Sequence, residues 1–254
     1  MSWNEHDPRS GWGRPMTDSE FRPHPLAWTP ERVARFWDFY AHHQATRFFS
    51  EVYGPSLVSL IAKGRPRTYV DIGCGTGALV IRAARRGIRS YGIEPSQELV
   101  AHATSVAKPL RLPVEFLVGS STGIPLPDTM ADAASLIEVV EHLDDSTLPV
   151  VLAEARRVLR PGGTLLVTTP YQEDLSASTT QCPECGAEYH PIQHVRTWAP
   201  VTLRSVLTAA GFQPRIRATR LVEDGPLHER AARYCIYRLA RVKRHLIAMA
   251  TVRP

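Results

Sequence analysis

The sequence predicts an α/β fold built on a doubly wound, mostly parallel sheet, and three observations carry this expectation. From residue 67 onward, short β-rich runs alternate with helical segments, the pattern of βαβ units. A turn with three glycines in five positions, Gly73 to Gly77, follows the first of these runs at once. The run 133–140 is apolar at nearly every position, as a strand covered on both faces requires.

The elements follow in order. Residues 1–29 are rich in Pro, Gly, Trp and charge without sustained periodicity, and read as a loosely ordered arm whose Trp3, Trp12, Phe21 and Trp28 can dock on the body. Residues 30–66 read as a helical cap: Thr29 can cap, Pro30 suits the first helical position, and Val33, Phe36, Trp37 and Tyr40 have helical spacing. A second helix over 47–62 should break near Gly54-Pro55. The domain proper spans 67–254, with strands at 68–72, 90–93, 114–118, 133–140, 164–169, 213–221 and 245–252. Helices are expected at 77–86, 96–106 with Ser96 as cap, 148–159, 201–210 and 227–243. Residues 170–198 form an irregular, polar insert, longer than ordinary connections.

Composition narrows the function classes. A chain of 254 residues with 43% hydrophobic content can bury a sizeable core. No apolar run approaches a membrane span, the N-terminal stretch lacks a signal-peptide core, and four Cys cannot make a disulfide scaffold, so a soluble cytoplasmic protein is expected. The net charge of +5 comes from 30 basic and 25 acidic residues, and only Lys63, Lys108 and Lys243 are lysines. Arg richness can mean phosphate recognition, but a GC-rich genome, which favours Arg codons, is the plainer reading, so charge does not by itself argue for nucleic acid.

The strand-turn-helix Tyr69-Val-Asp-Ile-Gly-Cys-Gly-Thr-Gly-Ala78 carries the most chemistry. It fits a loose dinucleotide pattern, but Asp71, two residues before the first glycine, would repel a pyrophosphate. The same carboxylate attracts a ligand with a sulfonium and an ammonium group, such as S-adenosylmethionine (SAM). Glu94, ending the second strand, can accept both ribose hydroxyl protons. Together with Gly92-Ile-Glu94-Pro-Ser and Arg157-Val-Leu-Arg-Pro-Gly-Gly163, these residues make the stretch 67–221 resemble the class I SAM-dependent methyltransferases, a Rossmann-like fold. The resemblance implies a seven-stranded mixed sheet in the order 3-2-1-4-5-7-6. It also implies that Asp71, Gly73, Gly75 and Gly77 hold the methionine part, with Cys74 packed beneath the cofactor, and that Glu94 and Pro95 lie at the ribose. The family usually places an acid after the third strand, at the adenine amino group. Here Ser120 and Ser121 stand there, and Ser120 offers an uncharged acceptor.

The fourth strand runs into Glu138-Val-Val-Glu141-His142. Ligands in such sheets sit outside the carboxyl ends of the strands, so Glu138 should face the transferred methyl. Three readings of the cluster stand: a divalent-ion site, a general base with its orienter, or the start of the next helix. The motif also resembles two methyltransferase groups, the small-RNA 3′-terminal 2′-O-methyltransferases and the ubiquinone-pathway O-methyltransferases. By the first resemblance Glu138, Glu141, His142 and the later His194, in His194-Val-Arg-Thr-Trp198, would ligate a divalent ion (Mg or Zn) that lowers a hydroxyl pKa.

The insert contains Cys182-Pro-Glu-Cys185 followed by His190 and His194, residues with zinc-ligand chemistry. A zinc site on Cys182, Cys185 and His190, a redox Cys pair, and free thiols are the alternatives, and His194 cannot easily serve both this site and the active site. Cys235 reads as a packing residue of the last helix. Arg230, Arg233, Arg238, Arg241 and Arg244 make either a phosphate-binding face or a solvated one. The expected activity is in-line methyl transfer from SAM to an oxygen of a small hydroxylated metabolite. Methylation of an RNA end and a non-catalytic SAM-binding or zinc-containing interaction module are the alternatives. The oligomeric state is not legible.

Overall fold

The computed structural model describes residues 21–44, 48–239 and 244–253. Trp3, Trp12 and Arg241, singled out above, lie outside them. The strands of the main sheet are β2 (Thr68–Ile72), β3 (Arg89–Glu94), β4 (Val114–Val118), β5 (Ala131–Ile137), β6 (Leu159–Pro170), β9 (Phe212–Thr219) and β10 (His245–Val252). Their spatial order is β4-β3-β2-β5-β6-β10-β9, which is 3-2-1-4-5-7-6 counted within the sheet, as expected. Pairing is parallel from β4 through β6 and antiparallel where β10 enters between β6 and β9. Among the described residues no helix is long and apolar enough to cross a membrane.

Alternation along the strands splits the core in two. Val70, Ala134, Leu165 and Leu246 point to one face, under α6 (Thr147–Val158) and α7 (Pro200–Ala209), which contribute Leu152 and Leu203. Their neighbours Tyr69, Ala133, Leu166 and Ile247 point to the other, under α3 (Gly54–Ile61) and α4 (Ala78–Ala84). Both faces are therefore buried, which is why these strands read as continuous apolar runs. Helix α5 (Gln97–Ala107) begins as expected: the Leu99 N–H donates to Ser96 Oγ at 3.2 Å.

Three local expectations change. The run 133–140 does not stay extended: β5 ends at Ile137 because Glu138 takes a left-handed backbone (φ 52°), which no strand continues through. The insert is not wholly irregular, since β7 (Thr180–Gln181) and β8 (Ala187–Tyr189) form a small hairpin. Residues 24–25 of the arm, β1 (His24–Pro25), pair in parallel with β8, and Trp28 meets Tyr189 edge-on. The helical cap comprises α1 (Pro30–Gln44), α2 (Phe49–Val52) and α3, broken at Gly54 as expected.

Candidate active site

The chain winds in opposite directions from β2 and β5, leaving a crevice at the carboxyl ends of these adjacent strands. A cavity of about 770 Å³ opens there. Its walls come from the glycine turn, the end of β3, the loop after β5, the insert and the aromatic faces of α1 and α2.

The glycine turn is held by backbone. Gly73 and Cys74 N–H groups both donate to Ile93 O, at 2.8 and 3.1 Å. Gly73 and Gly75 have positive φ (77° and 52°) and line the cavity. Gly77 does not line it: a Cβ there would come within 2.6 Å of the Phe116 ring and 2.9 Å of Ala103, so this glycine serves the packing of α4. Cys74 is buried on the cavity wall, and burial pushes its thiol up.

Two buried carboxylates flank the turn. Asp71 accepts a short hydrogen bond from Ser135 Oγ, which in turn accepts from the Tyr69 hydroxyl at 2.5 Å. Burial outweighs these bonds and pushes the Asp71 carboxyl up to about 7. Glu94 accepts the Gly75 N–H on one oxygen (3.0 Å) and the Ser96 N–H on the other (3.2 Å), so the backbone aims it into the cavity. Burial raises its pKa too, against those bonds. Pro95 and Ser121 lie on the same wall. Ser120 does not: it is exposed and spends its hydroxyl on Thr122, at 2.8 Å to Oγ1, while accepting the Thr122 N–H.

The opposite wall carries the Glu/His cluster. The left-handed turn at Glu138, tied by its N–H to Thr168 O at 3.1 Å, swings residues 138–142 across the top of the sheet. Glu141 is fully buried, and neither of its oxygens has a hydrogen-bond partner among the described residues; Glu138 Oε1 is likewise unpartnered. Burial raises both carboxyl pKa values, and the charge of Glu138 raises Glu141 further. Two such groups uncompensated cost several kcal/mol, of order 3–5 for a broken buried pair, so the site calls for a shared proton or a cation. His142 is pushed down to about 3, first by burial and then by His194; its Nδ1 lies 3.2 Å from Gln193 O. His194, 52 positions later, reaches the same place: one donor atom each of Glu141, His142 and His194 lie within 4.8 Å of one another. Burial, then His190, lowers His194 to about 4.

The zinc set proposed for the insert is not assembled. Cys182 and Cys185 sit in the β7–β8 turn, where Gly186 N donates to Cys182 O, and they join neither group of converging donors found among the described residues. His190 instead turns inward, stacks on His194 (centroids 4.7 Å, planes 12° apart) and groups with it and Glu173. His194 thus lines the cavity, grouped with Glu141 and His142 on one side and with His190 and Glu173 on the other. Glu173 was missed by sequence reasoning; its signal was an acid three residues past the end of β6.

The cap closes the site through side chains. Trp37 Nε1 donates to Gln193 Oε1 (2.7 Å), and its ring meets His142 edge-on. Ser96 donates to Asp38 (2.8 Å), and Thr76 to Glu51 (2.8 Å), tying α1 and α2 to the cofactor wall. On the last helix, α8 (Leu227–Leu239), Arg233 pairs with Glu223 and Glu229, while Arg244 lies on the cavity wall. Of the arginines read as one face, Arg233 is thus spent on ion pairs and Arg244 turns to the cavity.

Residues 70–167 match the protein family described as methyltransferase domain. Ajmaline N-methyltransferase of Rauvolfia serpentina is 31% identical over 117 residues, 45% of this chain and 40% of that protein. Malonyl-[acyl-carrier protein] O-methyltransferase of Serratia marcescens is 32% identical over 152 residues, 59% of this chain and 54% of that protein. The chain thus spans about half the length of these curated relatives. Among solved structures, the 1,6-didemethyltoxoflavin-N1-methyltransferase of Burkholderia thailandensis, with 1,6-didemethyltoxoflavin and S-adenosylhomocysteine bound, superposes with a TM-score of 0.64. It is 18% identical, and the match covers 92% of this chain and 94% of that one.

Proposed function

Because residues 70–167 match the methyltransferase-domain family, we propose that this chain is a class I SAM-dependent methyltransferase that moves a methyl group from SAM to an oxygen of a small hydroxylated acceptor. One observation carries the reading: the Glu/His cluster and the glycine turn with Glu94 line opposite walls of one cavity. The backbone of Gly73 and Gly75 lets the methionine part approach closely, and Asp71 attracts its cationic groups. Each Glu94 oxygen keeps a lone pair for a ribose hydroxyl after accepting its backbone N–H. Ser121, rather than Ser120, stands nearest the adenine role.

In the transfer, the acceptor oxygen forms a bond to the methyl carbon as the carbon–sulfur bond breaks, and the electron pair stays on sulfur in S-adenosylhomocysteine. The hydroxyl proton passes to the cluster, whose Glu138 and His142 lie on the cavity wall. The sulfonium is already an activated leaving group, so the protein's share is alignment and proton removal. The unpartnered oxygens of Glu141 and the neutral rings of His142 and His194 also fit a divalent cation. Bound there, it would lower the pKa of the acceptor hydroxyl. The curated relatives methylate both nitrogen and oxygen by name, so the choice of oxygen rests on this cluster and not on them.

The test is transfer of labelled methyl from SAM into a fractionated cell extract, with Glu138→Gln in parallel. Label in a small hydroxylated compound, lost in the variant, is the expected result. Label in RNA, falling steeply with added salt, would replace the acceptor class. Stoichiometric SAM binding with no transfer to any fraction would make the chain a SAM-binding module.

A further inference from the structure

We propose that Glu173 is a positioning residue that fixes the tautomer of His194, holding the proton on Nδ1 and leaving the Nε2 lone pair for the Glu141–His142 group. This rests on the reading of His194 as an active-site residue, and not on the identity of the acceptor.

The hydrogen bonding supplies the argument. Glu173 Oε2 makes a short contact with His194 Nδ1, and a carboxylate can only accept, so that nitrogen carries the proton. The neighbouring ring points the same way. The His194 backbone N–H donates to His190 Nδ1 at 3.3 Å, which places the His190 proton on Nε2. That Nε2 has no hydrogen-bond partner and lies 3.7 Å from Glu173 Oε1. One carboxylate thus faces two imidazole N–H groups, one on each oxygen, while the near-parallel stack holds the plane of the His194 ring.

His142 repeats the arrangement independently. Its Nδ1 faces Gln193 O at 3.2 Å, a group that can only accept, so this ring also keeps its proton on Nδ1 and frees Nε2. Gln193 is itself held in a left-handed backbone (φ 58°), with its side chain clamped by Trp37. Two histidines of the converging group are therefore oriented by acceptors on their far nitrogens. Such second partners set the tautomer and basicity of a base or ligand histidine, and their removal typically costs about 10- to 100-fold in affinity or activity.

The experiment is two-bond ¹H–¹⁵N correlation on full-length protein with ¹⁵N-labelled histidine, saturated with S-adenosylhomocysteine, with His194→Gln used to assign the signals. In the unmodified protein His194 is expected as the Nδ1–H tautomer. Glu173→Ala should give the other tautomer or an average of the two. Glu173→Gln, whose amide oxygen can still accept, should largely retain it. On any acceptor found, Glu173→Ala should lower kcat about 10- to 100-fold with unchanged SAM affinity. A His194 tautomer unaltered in Glu173→Ala overturns the proposal. Because this readout needs no turnover, failure to find an acceptor would count against the proposed function and leave the tautomer result standing.

Discussion

The two walls of the cavity are built on opposite principles. On the glycine-turn wall, hydrogen bonds satisfy the charged groups: Glu94 is bonded by backbone N–H groups 19 and two positions away, Asp71 by Ser135 Oγ, and the turn hangs on Ile93. On the Glu/His wall, neither Glu141 oxygen has a hydrogen-bond partner among the described residues, and beside His142 its neighbour His194 arrives from 53 positions away. The first wall is complete before any ligand binds. The second is left electrostatically unfinished, with raised carboxyls and depressed imidazoles, as a site that must hand over or receive a proton requires. The difference teaches that binding and chemistry are separable here, and variants should separate them.

The largest separation is expected from Glu138→Ala combined with His142→Ala. Turnover should fall by about 10²- to 10⁴-fold, the usual share of a positioned acid or base, while the calorimetric affinity for SAM stays unchanged. Full activity in this variant would remove the second wall from the mechanism. The converse is Glu94→Ala, which should weaken SAM binding by about 1–3 kcal/mol, the scale of charge-assisted hydrogen bonds. Unchanged affinity would sink the ribose assignment.

A pH titration sharpens the first wall. Asp71 titrates near 7 in the ligand-free protein, raised by burial, so the folded state binds this proton more tightly than the unfolded chain. Its contribution to stability is therefore present at low pH and lost as pH rises from about 4 through about 7. SAM, being cationic at this point, favours the ionised form. Its affinity should fall by up to about tenfold per unit below pH 7, with one proton released on binding. Calorimetry in two buffers of different ionisation heat reads that proton, and equal heats would show that Asp71 is already ionised. The smallest effect is expected from Cys182→Ser with Cys185→Ser, which should leave turnover and metal content within error. Loss of bound zinc on elemental analysis would restore the insert as a metal site.

Much of this was legible in the chain itself. Strands 114–118 and 245–252 have the bounds read from the sequence, and Ser96 caps α5 as read. The end of β5 was not legible, because Val139 and Val140 prolong the apolar pattern while the turn lies in the backbone of Glu138. The pairing of β1 with β8 was hidden for another reason: it joins segments more than 160 residues apart, and two-residue strands leave no periodicity to read. Ser120 and Gly77 were given ligand contacts by the family resemblance, yet one turns to Thr122 and the other makes room for Phe116.

The sequence by itself determined the sheet, its alternation of faces, the glycine turn and the acidic residues at the strand ends, because these follow from period, turn chemistry and the closeness of neighbours along the chain. Only the tertiary structure decided that His190 and His194 stack on each other against Glu173 rather than join Cys182 and Cys185, and that the Glu141 carboxylate is buried without a hydrogen-bond partner among the described residues. Those outcomes depend on which way side chains turn once distant stretches of chain are packed together, where packing, not local pattern, chooses the partner.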